Sequence, residues 1–588
     1  MRHPWMALLF VLPLYSQSLS QPVPVLAGDP LRAFAYSGPV AGEKSGRAEI
    51  VDVGNMPFTQ AWRLSTLSLP KSGFNEWDIR IRARPAIAAT KDDMVLATFW
   101  LRCIEPQDGE CVIRFNVEQS AAPNTKSVSI PYLAGADWKQ YKVLFRMAGD
   151  YAPTAYIVDF WMGQQIQQAE VGGIQFLNYG PGVRPEQVGV DPLYPGASQD
   201  AAWRAPAEER IERIRKADLT VEVIDAAGKP VPSAEVRVRM TRHAFGWGTA
   251  IAAEQLLGSG ADSDRYRQFI LDNFNMVVFE NDLKWPQWER NRTRPLDAIR
   301  WLNENGITRI RGHNLVWPGW RYMPADVQQL ASQPEALRKR VMDRVKDAAA
   351  GTRGMLEDWD VINEAHTNRD VQNILGNEEM VAWFKAAKDA DPFARLFIND
   401  YNILTQNGAN LLHRNGYYSI ISYLLDSGAP VEGIGMQGHF SSPTDPEIML
   451  RILDRFSHFG LPVEITEYDF VGGTEELQAH FTRDLMTVVF SHPTVSNFLM
   501  WGFWEARHWK PEGAMIRRNW TSKPMHDVWR EMIYERWWTD VRGATSEQGV
   551  FSTRGFKGNY EIEVQAGGKS KKVPASLFEA TTVRVTLE

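Results

Sequence analysis

The sequence predicts an α/β fold in which a central section of alternating strands and helices is set among all-β segments. Three observations carry this. Between residues 243 and 540, short apolar runs alternate with helical patterns. Those runs end, one after another, in polar residues, which is how a parallel barrel presents side chains at its carboxyl-end rim. Residues 30–195 instead show period-two runs spaced by turn residues, the pattern of an antiparallel sandwich. Together they predict a (β/α)8 TIM barrel with an amino-terminal all-β domain. A doubly wound sheet would also alternate, but it usually carries a Gly-rich phosphate turn after its first strand, and none is present here.

At 588 residues and 44% hydrophobic, the chain can fill several cores. A net charge of −7 and a pI near 6.0 argue against a nucleic-acid or anionic-membrane partner. The 22 tryptophans suit large cores or ligands with flat apolar faces, such as sugars. Met1-Arg-His3 and the apolar run Trp5 to Tyr15, followed by Ser16–Ser20, read as a signal peptide over residues 1–20. Export, to the periplasm or the medium, is therefore expected. The two cysteines, Cys103 and Cys111, flank the turn-rich Glu105–Glu110, and the sequence leaves open a disulfide or two thiols on neighbouring strands. No Cys/His spacing suits a metal, so neither metal nor cofactor is expected.

In chain order, runs such as Met94–Trp100, Val112–Val117 and Ala155–Trp161 predict a jelly-roll sandwich over 30–195. Phe160 to Tyr179 resembles the closing strands of carbohydrate-binding-module-like jelly rolls, which leaves two readings, sugar stacking and a non-binding accessory domain. Residues 196–216 read as linker and short helix, the latter from Glu/Arg pairs at helical spacing over Glu208–Lys216. Leu219–Ile224 and Ala234–Arg239 are strands too few to stand alone. The prediction is that 217–240 pairs with 541–588 in one small Ig-like sandwich flanking the barrel of 243–540.

The predicted barrel strands end in Glu280-Asn281 with Lys284 (second), His313-Asn314 and Trp317 (third), and Asn363-Glu364 (fourth). Asn399 to Asn402 (fifth), Gln437 and His439 (sixth), Glu467 to Asp469 (seventh), and Trp501 with Trp509 (eighth) complete the series. Amides and carboxylates match hydroxyls and indoles cover apolar ring faces, so the rim suits a neutral polyhydroxylated chain. Glu364 alone would be an ordinary surface carboxylate. Glu467, on the opposite side of the mouth, makes a pair that could flank a glycosidic bond. The other reading of that pair is an ion-pair network rimmed by Arg311 and Lys284.

The motifs Phe279–Trp285, Arg311–Trp317, Trp359–Ala365, Asn399–Asn402, Gly435–Phe440, Ile465–Asp469 and Trp501-Gly502 resemble glycoside hydrolase family 10, best known for endo-β-1,4-xylanases. The resemblance implies Glu364 as acid/base and Glu467 as nucleophile of a retaining hydrolysis, with carboxyl groups about 5–5.5 Å apart. It implies Asn363 as ligand of the sugar's 2-hydroxyl, and Gln437 and His439 as orienting the nucleophile and that sugar. Glu280, Asn281, Lys284, His313 and Trp317 match the family's glycone-side subsites, Trp501 and Trp509 match its two tryptophans over the cleavage-site sugars, and Tyr401 matches a position near the leaving-group side. The family usually continues its third-strand motif as Val-Trp-His-Ser-Gln; here Val316-Trp-Pro-Gly-Trp320 puts plain xylan in question. The expected function is a secreted endo-1,4-β-xylanase, a monomer acting on xylan with no membrane or nucleic-acid partner. The alternatives are the same mechanism on a substituted xylan or another β-1,4-glycan, and an inactive glycan-binding barrel.

Overall fold

The computed structural model describes residues 21–38, 45–69, 75–106 and 110–588. The expected signal peptide, and residues 107–109 of the Cys103–Cys111 loop, lie outside the described residues. The chain divides into two compact units, Met1–Pro192 and Leu193–Glu588.

The first unit is a sandwich of two antiparallel sheets. One runs 46–52, 60–66, 167–181, 93–105, 139–146, and the other 35–37, 80–83, 156–161, 111–119, 126–134. The period-two runs explain it: Phe99, Phe115, Phe160 and Phe176 point inward and pack ring on ring, with Phe99 and Phe160 centroids 5.0 Å apart. The sandwich begins earlier than residue 30, because Val23-Pro24 pairs with Leu177-Asn178. Cys103 and Cys111 form a disulfide, which closes the turn between two of the strands.

The second unit contains the barrel. Its strands are β1 (Gly246–Ile251), β2 (Met276–Phe279), β3 (Arg309–Gly312), β4 (Asp358–Asn363), β5 (Arg395–Asp400), β6 (Gly433–Met436), β7 (Val463–Phe470) and β8 (Val495–Met500). Each pairs in parallel with the next, and β8 closes on β1 through Gly246↔Asn497 and Trp247↔Phe498. All eight strands overlap the apolar runs read from the sequence. Helices lie between, including Pro334–Gly351 and Pro446–Ser457, both opened by a proline whose missing N–H costs nothing in the first turn.

Segments on either side of the barrel pair with each other. Lys216–Asp225 lies between Val550–Phe556 and Thr581–Leu587, and Glu235–His243 lies between Asp540–Ala544 and Gly558–Ala566. The stretch read as linker is in part anchored: Tyr194 and Trp203 are buried, Tyr194 donates to Asp484 at 2.8 Å, and Arg204 grips both Asp484 oxygens at 2.7 and 2.9 Å. Its proline and glycine content signalled irregular backbone, and irregular backbone can still be packed. The following helix starts earlier than expected, spanning Arg204–Arg215.

Inside the barrel, below the mouth, stands Arg311. It is fully buried on β3 and bonds Asp358 (2.9 Å) and Asp360 of β4 and Glu464 of β7 (2.8 Å), with Phe397 under its guanidinium at 4.7 Å. β3 and β7 are not neighbours, so the Arg311–Glu464 bond crosses the interior. Arg311 is thus no rim residue, as the ion-pair reading supposed, but part of the core. Burial disfavours its charge, and the three carboxylates outweigh burial and raise its pKa. Burial, and next Glu464, push Asp358 well above the usual carboxylate range, against Arg311 and Arg395. Arg311→Met should destabilise the chain by about 3–5 kcal/mol, because the carboxylates are left buried without their cation. Arg311 opposes the upward shift of Asp358 and Asp360, so without it their folded pKa values rise further, the variant loses more stability than wild type as pH rises, and the deficit, measured by thermal melting, should grow from acid to alkaline pH.

Candidate active site

The carboxyl ends of the strands converge as the sequence suggested. Glu364 follows β4 with φ 57°, a left-handed conformation that a side chain with a Cβ seldom adopts. Its amide donates to Asn399 O at 2.8 Å, which ties this turn to β5. Its Oε1 accepts from Gln437 Nε2 (3.2 Å) and its Oε2 from Trp317 Nε1 (3.1 Å) and Asn368 Nδ2 (3.0 Å). Burial pushes the Glu364 carboxyl up to about 7; Gln437 and Trp317 oppose this by donating to the ionised form, and Glu467 and Asp400 reinforce it.

Glu467, on β7 and 4% exposed, sits in a different setting. Its Oε1 accepts from Asn399 Nδ2 at 2.8 Å, and its Oε2 faces His439 Nε2 at 3.1 Å. Burial would lower the His439 pKa, but Asp469, with an oxygen 3.0 Å from Nδ1, and Glu467 raise it to about 9. Asp469 acts on Nδ1 as an ion pair, and Nδ1 has no hydrogen-bond acceptor among the described residues. His439 is therefore a cation at neutral pH that donates Nε2–H to Glu467. Asp469 also takes the Trp509 indole N–H at 2.6 Å.

Between the carboxyls lie amides. Asn399 Nδ2 bridges Asn363 Oδ1 (3.0 Å) and Glu467, and Thr466 Oγ1 donates to Asn399 Oδ1 at 2.7 Å, which fixes the amide's orientation. Asn399 has room because Gly435 is its partner in β6: a Cβ there would stand 2.5 Å from Asn399 Oδ1. Asn363 Oδ1 also faces Gln437 Nε2 at 3.4 Å, while Asn363 Nδ2 is buried with no partner among the described residues. A buried donor left unpaired costs roughly 1–3 kcal/mol, a cost that a hydroxyl acceptor in the cleft would remove.

The remaining sequence-predicted residues frame this centre. His313 is buried, 2.8 Å from Asp360 Oδ2 through Nδ1 and 3.9 Å from Glu467, and burial lowers it to about 3, so it is neutral. Trp501 is 6% exposed and stands edge-on to His313 at 5.1 Å, whereas Trp509 is 48% exposed beside His439. Lys284 bonds Asn281 Oδ1 at 3.0 Å and lies 5.3 Å from the Trp317 ring; burial lowers it while Glu467, Glu280 and Glu364 pull the other way. Burial raises Glu280. Tyr401 OH reaches Thr367 Oγ1 at 3.3 Å.

Sequence reasoning passed over Asn399, Asp469 and Asn368 as site residues. The first two stood in the strand-end runs, and Asn368 stands four residues after Glu364, the spacing that brings side chains together in a helical turn. At Pro318-Gly-Trp320, Pro318 and Gly319 are buried and Trp320 is half-buried, and Trp317 just before them stacks on Tyr322 at 3.5 Å and 6°. Among the described residues no group of three or more His, Cys, Asp or Glu could hold a metal ion, and no helix is long and apolar enough to cross a membrane.

A sequence model of Glycosyl hydrolase family 10 matches residues 238–529, the barrel and its mouth. This segment is a family 10 domain. The chain is 36% identical over 377 residues to anti-sigma-I factor RsgI6 of Acetivibrio thermocellus, covering 63% of this chain and 47% of that protein. It is 32% identical over 374 residues to endo-1,4-beta-xylanase 1 of Arabidopsis thaliana (62% and 38% covered). Against endo-1,4-beta-xylanase B of Thermotoga neapolitana it is 28% identical over 337 residues, covering 52% of this chain and 93% of that enzyme. The chain therefore spans less than half the length of the first two relatives.

Within the family 10 domain, Glu364 carries a testable signature. Its folded pKa lies above its unfolded value, so the stability it contributes is present at acid pH and lost as pH rises through about 7. Glu364→Gln, which cannot ionise, should melt above wild type at pH 8, and the difference should shrink towards pH 5. A constant difference across that range would contradict the environment described.

Proposed function

We propose that the family 10 domain is an endo-1,4-β-xylanase that cleaves internal bonds of xylan with retention of configuration. The observation that carries this reading is the pair of carboxyls in opposed settings at one barrel mouth, bridged by amides that include the unpaired Asn363 Nδ2. Glu364, neutral at moderate pH, protonates the leaving glycosidic oxygen as Glu467 attacks the anomeric carbon. The C–O bond to the leaving sugar breaks, and a covalent glycosyl–Glu467 ester forms. Glu364, now ionised, takes a proton from water, whose oxygen displaces Glu467 and restores both groups. Asn363 holds the 2-hydroxyl, and Gln437 and His439 orient the carboxyls. Glu280, Asn281, Lys284, His313 and Trp317 bind the glycone side, Trp501 and Trp509 cover the cleavage-site sugars, and Tyr401 borders the leaving group.

The names of the Arabidopsis and Thermotoga relatives support xylan as substrate. The departure at Pro318-Gly-Trp320 favours a second reading, a substituted xylan or another β-1,4-glycan. The basic start and apolar run of residues 1–15 support an exported protein, and we take it to act as a monomer. Glu467→Ala should lose at least about a thousandfold in turnover of an aryl β-xyloside, and azide should restore a product of inverted configuration. Turnover at the wild-type rate would sink the assignment. Reducing-sugar release from xylan, β-glucan and cellulose, assayed side by side, separates the two substrate readings, and xylan bound but uncleaved by the wild type would leave only an inactive binding barrel.

For the first unit we propose glycan binding on the outward face of the sheet that holds 156–161. There Arg80, Arg82, Asn116, Asp159 and Trp161 alternate with core positions, and Arg80 Nε, Arg82 Nε and Asn116 Oδ1 are buried without partners among the described residues. Trp77, 42% exposed, sits 5.5 Å from Trp161 at the edge of this face. Buried polar groups left open beside an exposed indole suit hydroxyls on an apolar ring. In the Glu467→Ala background, Trp77→Ala should weaken retention on insoluble xylan severalfold; equal retention assigns the unit an accessory role.

A further inference from the structure

The left-handed turn at Glu364 has a partner that closes it. The Asn368 backbone N–H donates to Glu364 O at 3.0 Å, and its side-chain Nδ2 donates to Glu364 Oε2 at 3.0 Å. The same Nδ2 lies 3.4 Å from Glu364 O and 3.3 Å from Thr367 Oγ1. Two bonds from one residue, one to the backbone and one to the carboxyl, make a ring that restricts both the turn and the Glu364 rotamer.

The Asn368 side chain is seated in turn by the stretch where the sequence departs from the familiar motif. A Cβ at Gly319 would meet Asn368 Oδ1 at 2.8 Å, Tyr322 Cδ2 at 3.3 Å and Asn368 Cβ at 3.4 Å, so any larger residue there would push the Asn368 amide from its place. Trp320 N donates to Asp370 Oδ2 at 2.9 Å and Val371 N to Pro318 O at 3.4 Å, which fastens the 318–320 loop to the turn that carries Asn368. Gly319 has an ordinary extended conformation (φ −105°), so its smallness rather than its flexibility is what the site uses.

We propose that Asn368, seated by Gly319, is a positioning residue for Glu364: it aims Oε2 into the cleft and favours the ionised form to which Glu364 must return in each cycle. The proposal rests on Glu364 being the acid/base. The charged and titratable groups facing Glu364 are Glu467 from β7, Asp400 from β5 (itself held by His413 Nε2 at 2.8 Å), Lys284 beyond β2, and Tyr322 in the 320–322 turn. Gln437 and Trp317 supply the other two neutral donors. Asn368 is the donor that comes from Glu364's own turn, so it can follow that turn.

The test uses the full chain and two substrates, a phenyl β-xylobioside, whose departure needs a proton, and a dinitrophenyl β-xylobioside, whose departure does not. In Asn368→Ala the alkaline limb of kcat/KM on the phenyl glycoside should move up by about half a pH unit, and in the isosteric Asn368→Asp by about one, since a carboxylate there opposes ionisation of Glu364. Both should lose about tenfold in kcat/KM on the phenyl glycoside and less than about threefold on the dinitrophenyl glycoside. Gly319→Ala, which crowds Asn368 Oδ1 most closely while leaving every donor to Glu364 chemically unchanged, should move the limb in the same direction as Asn368→Ala. An unmoved limb in both Asn368 variants, or equal losses on the two substrates, overturns the proposal. Failure of the underlying reading shows separately, because Glu364→Ala would then cleave the phenyl glycoside as wild type does.

Discussion

The Arg311 guanidinium is the constraint on which the mouth of the barrel depends. It draws Asp358 and Asp360 of β4 and Glu464 of β7 to one point in a closed interior. An apolar core would have filled the same volume at no electrostatic cost, and buried ion clusters seldom add net stability. What this one supplies is direction. Asp360, held by Arg311 through one oxygen, offers the other to His313 at 2.8 Å, and His313 stands edge-on to Trp501 and within 3.9 Å of Glu467. A line of contacts thus runs from the barrel core to the candidate nucleophile, each step specifying the orientation of the next.

Above that line the polar groups change character. Around Arg311 they are charged and mutually neutralising; around the two candidate carboxyls most of the bridging groups are amides. An amide can bridge two acceptors or present a donor without adding charge, so Asn363, Asn399 and Gln437 connect Glu364 to Glu467 without bringing a further charge between them. Had Asn399 been a lysine, both carboxyls would be drawn towards ionisation together. The separation of roles requires groups that orient without titrating.

The strand order and the strand-end residues were legible because both depend on local pattern: an apolar run of four to six residues reads as a buried strand, and in a closed parallel barrel each such run must open on the same face. Glu364, Glu467, Gln437 and His439 followed from that geometry together with the family motifs. Contacts that join distant strands were not legible. Arg311 looked like a rim charge because nothing in its neighbourhood shows that Glu464, 153 residues away, meets it across the barrel. The first part of 196–216 read as linker because composition reports backbone irregularity, whereas the Arg204–Asp484 pair depends on tertiary packing. At Pro318-Gly-Trp320 the departure itself was legible, but the burial of Pro318 and Gly319 and the approach of Gly319 to Asn368 were not, because they depend on tertiary packing.

The position of Glu364 joins these strands of the problem. A residue that is left-handed, largely buried and kept protonated to about pH 7 combines three conditions that each oppose folding. None is required by the barrel, since a glycine or asparagine would take the same backbone at lower cost. The surrounding groups answer each condition separately: the Asn399 carbonyl and the Asn368 amide N–H fix the turn, Gln437, Trp317 and the Asn368 side chain satisfy the two oxygens, and the buried walls hold the proton. Strain concentrated on one residue and balanced by four others is difficult to account for by stability alone. It is intelligible if the carboxyl must change protonation state in place, without its oxygens moving, because every donor that holds the neutral form holds the ionised form more strongly.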